Sequence, residues 1–229
     1  VSYSSFMILP RGLVFIVTIW IFTAWWICIG IRPPVQPTIA SYLPGIRLFF
    51  AAIAIGLCVA WPMLRLSERP APAPIRQVLI DFITIVALLH MVIWPLRLAT
   101  NLPPQRMGLI DLFLFSWGAI IAAILAKSIG SRSSLERIFC MITIVVISLL
   151  GPIAHFVCAR MDWPSPPIWL DGPIMGVLRE TLGGGSNPDA IAWRTTTGIT
   201  LAASTAWMAV FLLHLSAGRM FKTPSPNPS

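Results

Sequence analysis

The residues that decide the fold are Val78–Leu96, VLIDFITIVALLHMVIWPL. Nineteen residues pass with one acid, Asp81, and one imidazole, His90. A helix of that length spans about 28 Å at ~1.5 Å per residue, close to the ~30 Å hydrocarbon thickness of a bilayer. The same kind of run recurs across the chain at Leu13–Ile31, Ile46–Leu64, Leu109–Ala126, Ile138–Ala159 and Thr197–Ala217. Of the 229 residues, 57% are hydrophobic and only 10% charged, where a soluble domain carries roughly a quarter charged residues. Mean hydropathy is +0.83. These features predict an all-α polytopic membrane protein with six spans. Lipid offers no partner to an open strand edge, so helices are the form expected to cross it.

The spacing leaves no length for a separate soluble domain, so residues 1–222 read as one transmembrane unit. The tail 223–229, PSPNPS after Thr223, reads as disordered by composition. A net charge of +8 raises nucleic acid as a partner. However, the 16 Lys and Arg are scattered among span ends with no basic run, which is a topology pattern. With a cytoplasmic N-terminus, nine fall on the inner side (Arg11, Arg65, Arg69, Arg76, Lys127, Arg132, Arg137, Arg219, Lys222) and seven on the outer. Both termini are therefore expected inside, in a bacterial inner membrane, with the lipid bilayer as partner and no nucleic acid. The first apolar run lacks a small-residue cleavage site and reads as a signal anchor. Cys28, Cys58, Cys140 and Cys158 show no CxxC spacing. Cys28 and Cys158 fall at the same side and would be able to meet; small buried hydrophobes are the plainer role.

Between spans 5 and 6 runs a loop of about 35 residues, a length that is usually functional or disordered. Its residues 160–196 carry Trp163, Trp169 and Trp193 and four carboxylates. Ile174, Val177 and Leu178 recur at helical spacing within Gly172–Leu182, which predicts a short helix lying in the outer interface. Prolines mark other boundaries: Pro44 in the first outer loop, Pro62 and Pro95 at the ends of spans 2 and 3. Pro152 lies in the outer third of span 5 and is expected to kink it.

Polar side chains inside a bilayer are costly and mark candidate sites. Asp81 lies near an inner span end and reads either as a helix cap or as such a site. His90, Asp111 and His155 fall in the outer half of spans 3, 4 and 5, and His214 on the inner side. Above the first three lie Arg47, Arg97, Arg106 and Arg160, with Trp94, Trp163, Trp169 and Trp193. Two histidines, indoles and arginines suit a flat anionic macrocycle such as haem b: His90 and His155 on the iron, Arg97, Arg106 and Arg160 on the propionates, and Trp94, Trp163 and Trp169 as the stacking platform. Asp111 would orient a histidine or arginine. The plainer role for each histidine is a hydrogen bond to a carbonyl or to Asp111. Asp81, His90, Asp111 and His155 also allow a proton path, though acidic residues are few for a pump. No HExxH, Walker A or Rossmann glycine pattern is present.

Three stretches resemble one family. ICIGIRPP (27–34) ends span 1 in a double proline. IWPLRLATNLPPQRMGLID (93–111) stands where that family carries a tryptophan-rich outer motif ending in aspartate. SRSSLERIFCMITIVVISLLGPIAHFVCARMDW (131–163) follows its basic inner loop, fifth span and Trp exit. With six spans and outer loops after spans 1, 3 and 5, the chain resembles the CcmC-type haem-handling proteins of cytochrome c assembly. The resemblance implies haem presentation or export at the outer face, without covalent catalysis, alongside haem-transfer or ABC-type partner subunits. The chain departs from the family in lacking clustered tryptophans before Asp111 and a histidine near SYLPG, where Tyr42 lies. It also lacks one after Trp163, so ligation falls to His90 and His155. The other expectation is a permease-like or scaffold subunit of a larger membrane complex.

Overall fold

A computed structural model describes residues 11–31, 38–100, 102–183 and 186–220, and among them every regular element is helical. α1 (Arg11–Trp25) continues into a π-helical turn at Trp26–Gly30. α2 (Ile39–Ile55) passes through a second π turn, Gly56–Ala60, into α3 (Trp61–Ser67). Then follow α4 (Pro74–Thr100), α5 (Pro104–Ser128), α6 (Ser134–Arg160), α7 (Gly172–Leu182) and α8 (Ala190–Met220). Six helices are long and apolar enough to cross a membrane: Gly12–Gly30, Ala40–Ser67, Pro74–Leu98, Pro104–Ser128, Ser134–Arg160 and Ala190–Ser216. The chain is a multi-pass membrane protein of six spans. The tail from 221 and the prolines at 33, 34 and 37 lie outside the described residues.

Three prolines expected to end helices lie inside them instead. Pro44 falls in the second turn of α2, behind a capping box in which Thr38 and Ser41 satisfy one another's backbone N–H groups. Pro95 is passed by α4, which runs on to Thr100. Pro62 sits at the start of α3 after the π turn. Its missing N–H leaves the Cys58 carbonyl without the usual i−4 donor, and the Ser148 hydroxyl of α6 is 3.5 Å from that oxygen. Neighbouring helices that re-satisfy freed backbone groups are what let proline persist at membrane depth.

α5 is the hub. Met107, Leu109, Ile110, Phe113, Leu114, Ile121 and Leu125 are all buried along it. α8 lies on α5 along most of its length, where Ser116 Oγ meets Thr200 Oγ1 at 2.8 Å and the Trp207 indole donates to the Ala119 carbonyl at 3.0 Å. Elsewhere α8 exposes Leu201, Met208, Phe211, Leu212, Leu213 and Leu215, the apolar surface a lipid-facing span requires. The four cysteines are free.

The short helix α7 forms where its periodicity predicts, but it is set deeper than an interfacial position. It packs against α2, α5 and α6, and Gly172, Pro173, Ile174, Gly176, Val177, Glu180 and Thr181 are buried. Glycine contacts fix its depth. Gly183 lies on the guanidinium of Arg106, the third residue of α5, and Gly176 on the ring of Phe113, seven residues further down. That is about 10 Å at ~1.5 Å per residue. The Asp171 carbonyl presses on Gly151, and Gly172, at φ +61, lies against the Ile147 carbonyl. Those α6 residues are nine and thirteen short of Arg160, so the turn at Asp171–Gly172 sits about 13–20 Å below the helix end. The segment 161–183 is thus a re-entrant hairpin: a largely non-helical limb descends to mid-depth and α7 climbs back to the loop face.

Candidate functional site

The turn at the bottom of the hairpin carries a buried polar cluster. Asp171 is 5% exposed and does not cap α7. Its Oδ1 lies 2.8 Å from His155 Nε2, and its Oδ2 accepts from Arg179 Nη1. Arg179 also reaches Glu180 Oε1 at 3.4 Å. Burial pushes the Glu180 carboxyl above the ordinary carboxylate range, and Arg179 and Arg106 draw it only part of the way back. An uncompensated carboxylate at that depth would be costly, and its two cationic neighbours explain why it is tolerated.

Arg106, expected at the surface as a propionate partner, is 5% exposed and spends its donors on the hairpin. Nη1 donates to the Glu180 carbonyl at 2.6 Å, Nε to the Ser186 carbonyl at 2.7 Å, and Nη2 to Ser186 Oγ and the Asn187 carbonyl at 3.1 Å each. It clamps the carbonyl-rich end of α7, where a cation is favoured.

Against this hairpin, α5 and α8 form a cleft of about 480 Å³. Phe113, Trp117 and Ile120 of α5 line it, with Gly198, Ile199 and Ala202 of α8. Ile168, Trp169, Asp171, Gly172 and Arg179 close the hairpin side, and Arg194 stands toward the start of α8. Arg194 is exposed and has no ion-pair or hydrogen-bond partner among the described residues. The Trp117 indole N–H is shielded and unpartnered. The nearest acid on α8's side, Asp189, uses its carboxylate to cap that helix at the Ala192 N–H, 2.7 Å away.

The second histidine stands elsewhere. His90 Nδ1 lies 2.8 Å from the Val86 carbonyl and Nε2 lies 2.9 Å from Asp111 Oδ2. A carbonyl only accepts, so Nδ1 carries a proton and Nε2 is left facing the carboxylate. The Trp94 side chain lies near the same carboxylate. Asp111, expected to orient a histidine or arginine, stands against the His90 ring. His90 faces a groove of about 650 Å³ between α4, α5 and α8, with Ser116, Thr200, Ser204 and Trp207.

His90 and His155 share no partner and attach to different aspartates. His90 has both ring nitrogens occupied, so it does not fit an axial ligand as it stands. His155 keeps Nδ1 clear of any hydrogen bond among the described residues, and Asp171 on its other nitrogen is the carboxylate support that a ligating imidazole usually has. No group of three or more His, Cys, Asp or Glu among the described residues would hold a metal ion. Trp163 and Trp169 are 63% and 78% exposed, and Trp94 is exposed too. Arg97 is half-buried and Arg160 exposed, neither with a partner among the described residues.

No family model, curated protein or solved structure matches the chain. The candidate site is therefore read from its own geometry. Depth along the spans located His155, His90 and Asp111. Asp171, Arg179, Arg194 and Trp117 were not singled out, because nothing local marks a loop that turns back into the bundle. The signal available was LDGP at 170–173, an acid and a glycine ahead of a helix-starting proline.

At the opposite face, Asp81 is fully buried and is no helix cap, since α4 starts at Pro74. Arg65 grips it through Nε at 2.5 Å and Nη2 at 2.7 Å, with Gln77 adding a bond at 2.9 Å.

Proposed function

We propose that the chain is a permease-like protein that admits a small ligand into the cleft between the re-entrant hairpin, α5 and α8. The observation that carries this reading is the depth of the hairpin. Non-helical backbone at mid-membrane is tolerated where it is buried in protein or lines a cavity, and broken helical segments at the midplane are a recurrent way of building transporter sites. The Lys/Arg distribution supports placing the loop face on the outer side of a bacterial inner membrane.

Cysteine accessibility tests it. With the four native cysteines replaced, Ala202→Cys should react with a water-soluble, membrane-impermeant thiol reagent applied to the loop face. Leu201→Cys, which is exposed but does not line the cleft, should stay unreactive in lipid. If both remain unreactive in folded protein, the cleft is not a water-filled entry and the reading fails.

A second reading, haem presentation during cytochrome c maturation, is favoured by the exposed Trp163 and Trp169 beside His155. His155 supports a single axial ligation and His90 supports none, so Arg160, Arg97 and the indoles would hold the macrocycle. Purified protein with a Soret band lost in His155→Ala supports it. Colourless, folded protein after haem supplementation removes it and leaves the permease reading standing.

A further inference from the structure

We infer that the cleft takes a single-chain amphiphile with a carboxylate head, a fatty-acid-like monoanion, with Arg194 as the residue that selects it. This rests on the permease-like reading and names its substrate class.

The charge balance makes the choice. Around the hairpin, Arg106 faces Glu180, and Arg179 is held by Asp171. Asp189 is committed to the start of α8. Arg194 alone among the cleft's charges has no partner among the described residues. The lining groups Arg179, Arg194 and Asp171 leave one positive charge in excess. Arg194 is exposed at the cleft, so an occupant that covered it without bringing a negative charge would bury it unpaired, and one negative charge on the ligand avoids that. A phosphate monoester carries about −1.5 to −2 at neutral pH and would leave the cleft over-compensated. A carboxylate carries one charge and meets a guanidinium with two parallel hydrogen bonds.

The rest of the lining fits a hydrocarbon tail. Below Arg194 the walls are Phe113, Ile120, Ile199, Gly198 and Ala202, with Trp169 on the hairpin side. The unpartnered Trp117 N–H is the one donor on this stretch of α5. About 480 Å³ of space falls within the range of small-molecule sites, roughly 300–1,000 Å³. A small hydrophilic anion would leave these apolar walls unfilled, and a neutral lipid would leave Arg194 uncompensated.

The test uses the full chain in nanodiscs of zwitterionic phospholipid, with three probes of equal chain length: a fluorescent long-chain fatty acid, its primary alcohol and its alkyl phosphate. The acid should bind saturably and more tightly than either analogue. Arg194→Gln should weaken it by about tenfold to a hundredfold, the usual worth of a hydrogen bond to a charged group, and Arg194→Lys by less. Arg47→Gln, on the same face but outside the cleft lining, should leave binding unchanged. Equal binding of acid and alcohol would overturn the inference. So would tighter binding of the phosphate, or an equal loss in Arg47→Gln, which would reduce the effect to surface charge. Absence of acid binding in protein whose Ala202→Cys variant reacts overturns the substrate class and leaves the entry cleft intact.

Discussion

Asp81 shows how much one side chain determines here. It is completely buried, and Arg65, which also pairs with Glu68, and Gln77 hold its carboxylate. Removing one partner of such a pair strands the other, at a cost of about 3–5 kcal/mol. Asp81→Asn is therefore expected to lower stability by about that much, measured by denaturant unfolding in detergent, while Arg65→Met with Asp81→Leu should recover most of it. Glu180 behaves in the opposite sense. Its carboxyl is raised by burial, so the folded state takes up the proton before the unfolded state does. The stability this group contributes should be fully present below the ordinary glutamate value of about 4.3 and be lost as pH rises through the raised value. Glu180→Gln should abolish that portion of the pH dependence in thermal unfolding, whereas a wild-type profile in the variant would show that Glu180 does not titrate in this way. Sequence reading reached Asp111 with His90 because both lie at the same depth on neighbouring spans. It left Asp171 unplaced because its partner His155 is sixteen residues away, across a turn without regular periodicity.

At the scale of elements, the six spans were legible from hydropathy alone, while their ends were not. Pro44, Pro62 and Pro95 carry the local signature of a helix boundary, and the chain overrides it where a capping box or a neighbouring hydroxyl satisfies the backbone. The re-entrant course of α7 was equally hidden. Its apolar stripe marks one buried face, and the sequence does not say whether lipid headgroups or three helices cover it. Gly151 gives a sharp test. A Cβ there would collide with the Asp171 carbonyl, a backbone atom that a side-chain rotation cannot clear. Gly151→Ala should undock the hairpin at a cost of about 1–3 kcal/mol, seen as hydrogen exchange across 172–182 rising roughly tenfold to a hundredfold, with the spans unaffected. Gly108→Ala, where a Cβ meets nothing within 4 Å, should leave exchange unchanged; equal responses from the two variants would remove the steric argument.

Across the whole molecule, burial is uneven. α5 is enclosed on nearly every side, while 6% of the most apolar window of α8 is buried, so α8 relies on one helix–helix seam. Its polar contacts there are Ser116–Thr200 and Trp207–Ala119. Interhelical hydrogen bonds in membranes average about 0.6 kcal/mol, so Thr200→Val with Trp207→Phe should loosen α8 by about 1 kcal/mol, measurable as earlier proteolysis of the last span than of the rest. No loss of protection there would mean that packing alone holds the seam. The position of α7 also has a consequence for how the chain is made. Its seat is built by α2, α5 and α6, all of which precede it on the ribosome. With Arg179 and Glu180 in its second half, α7 cannot partition into lipid by itself. The socket for the hairpin is therefore complete in chain order before α8, which walls off its open side, is made.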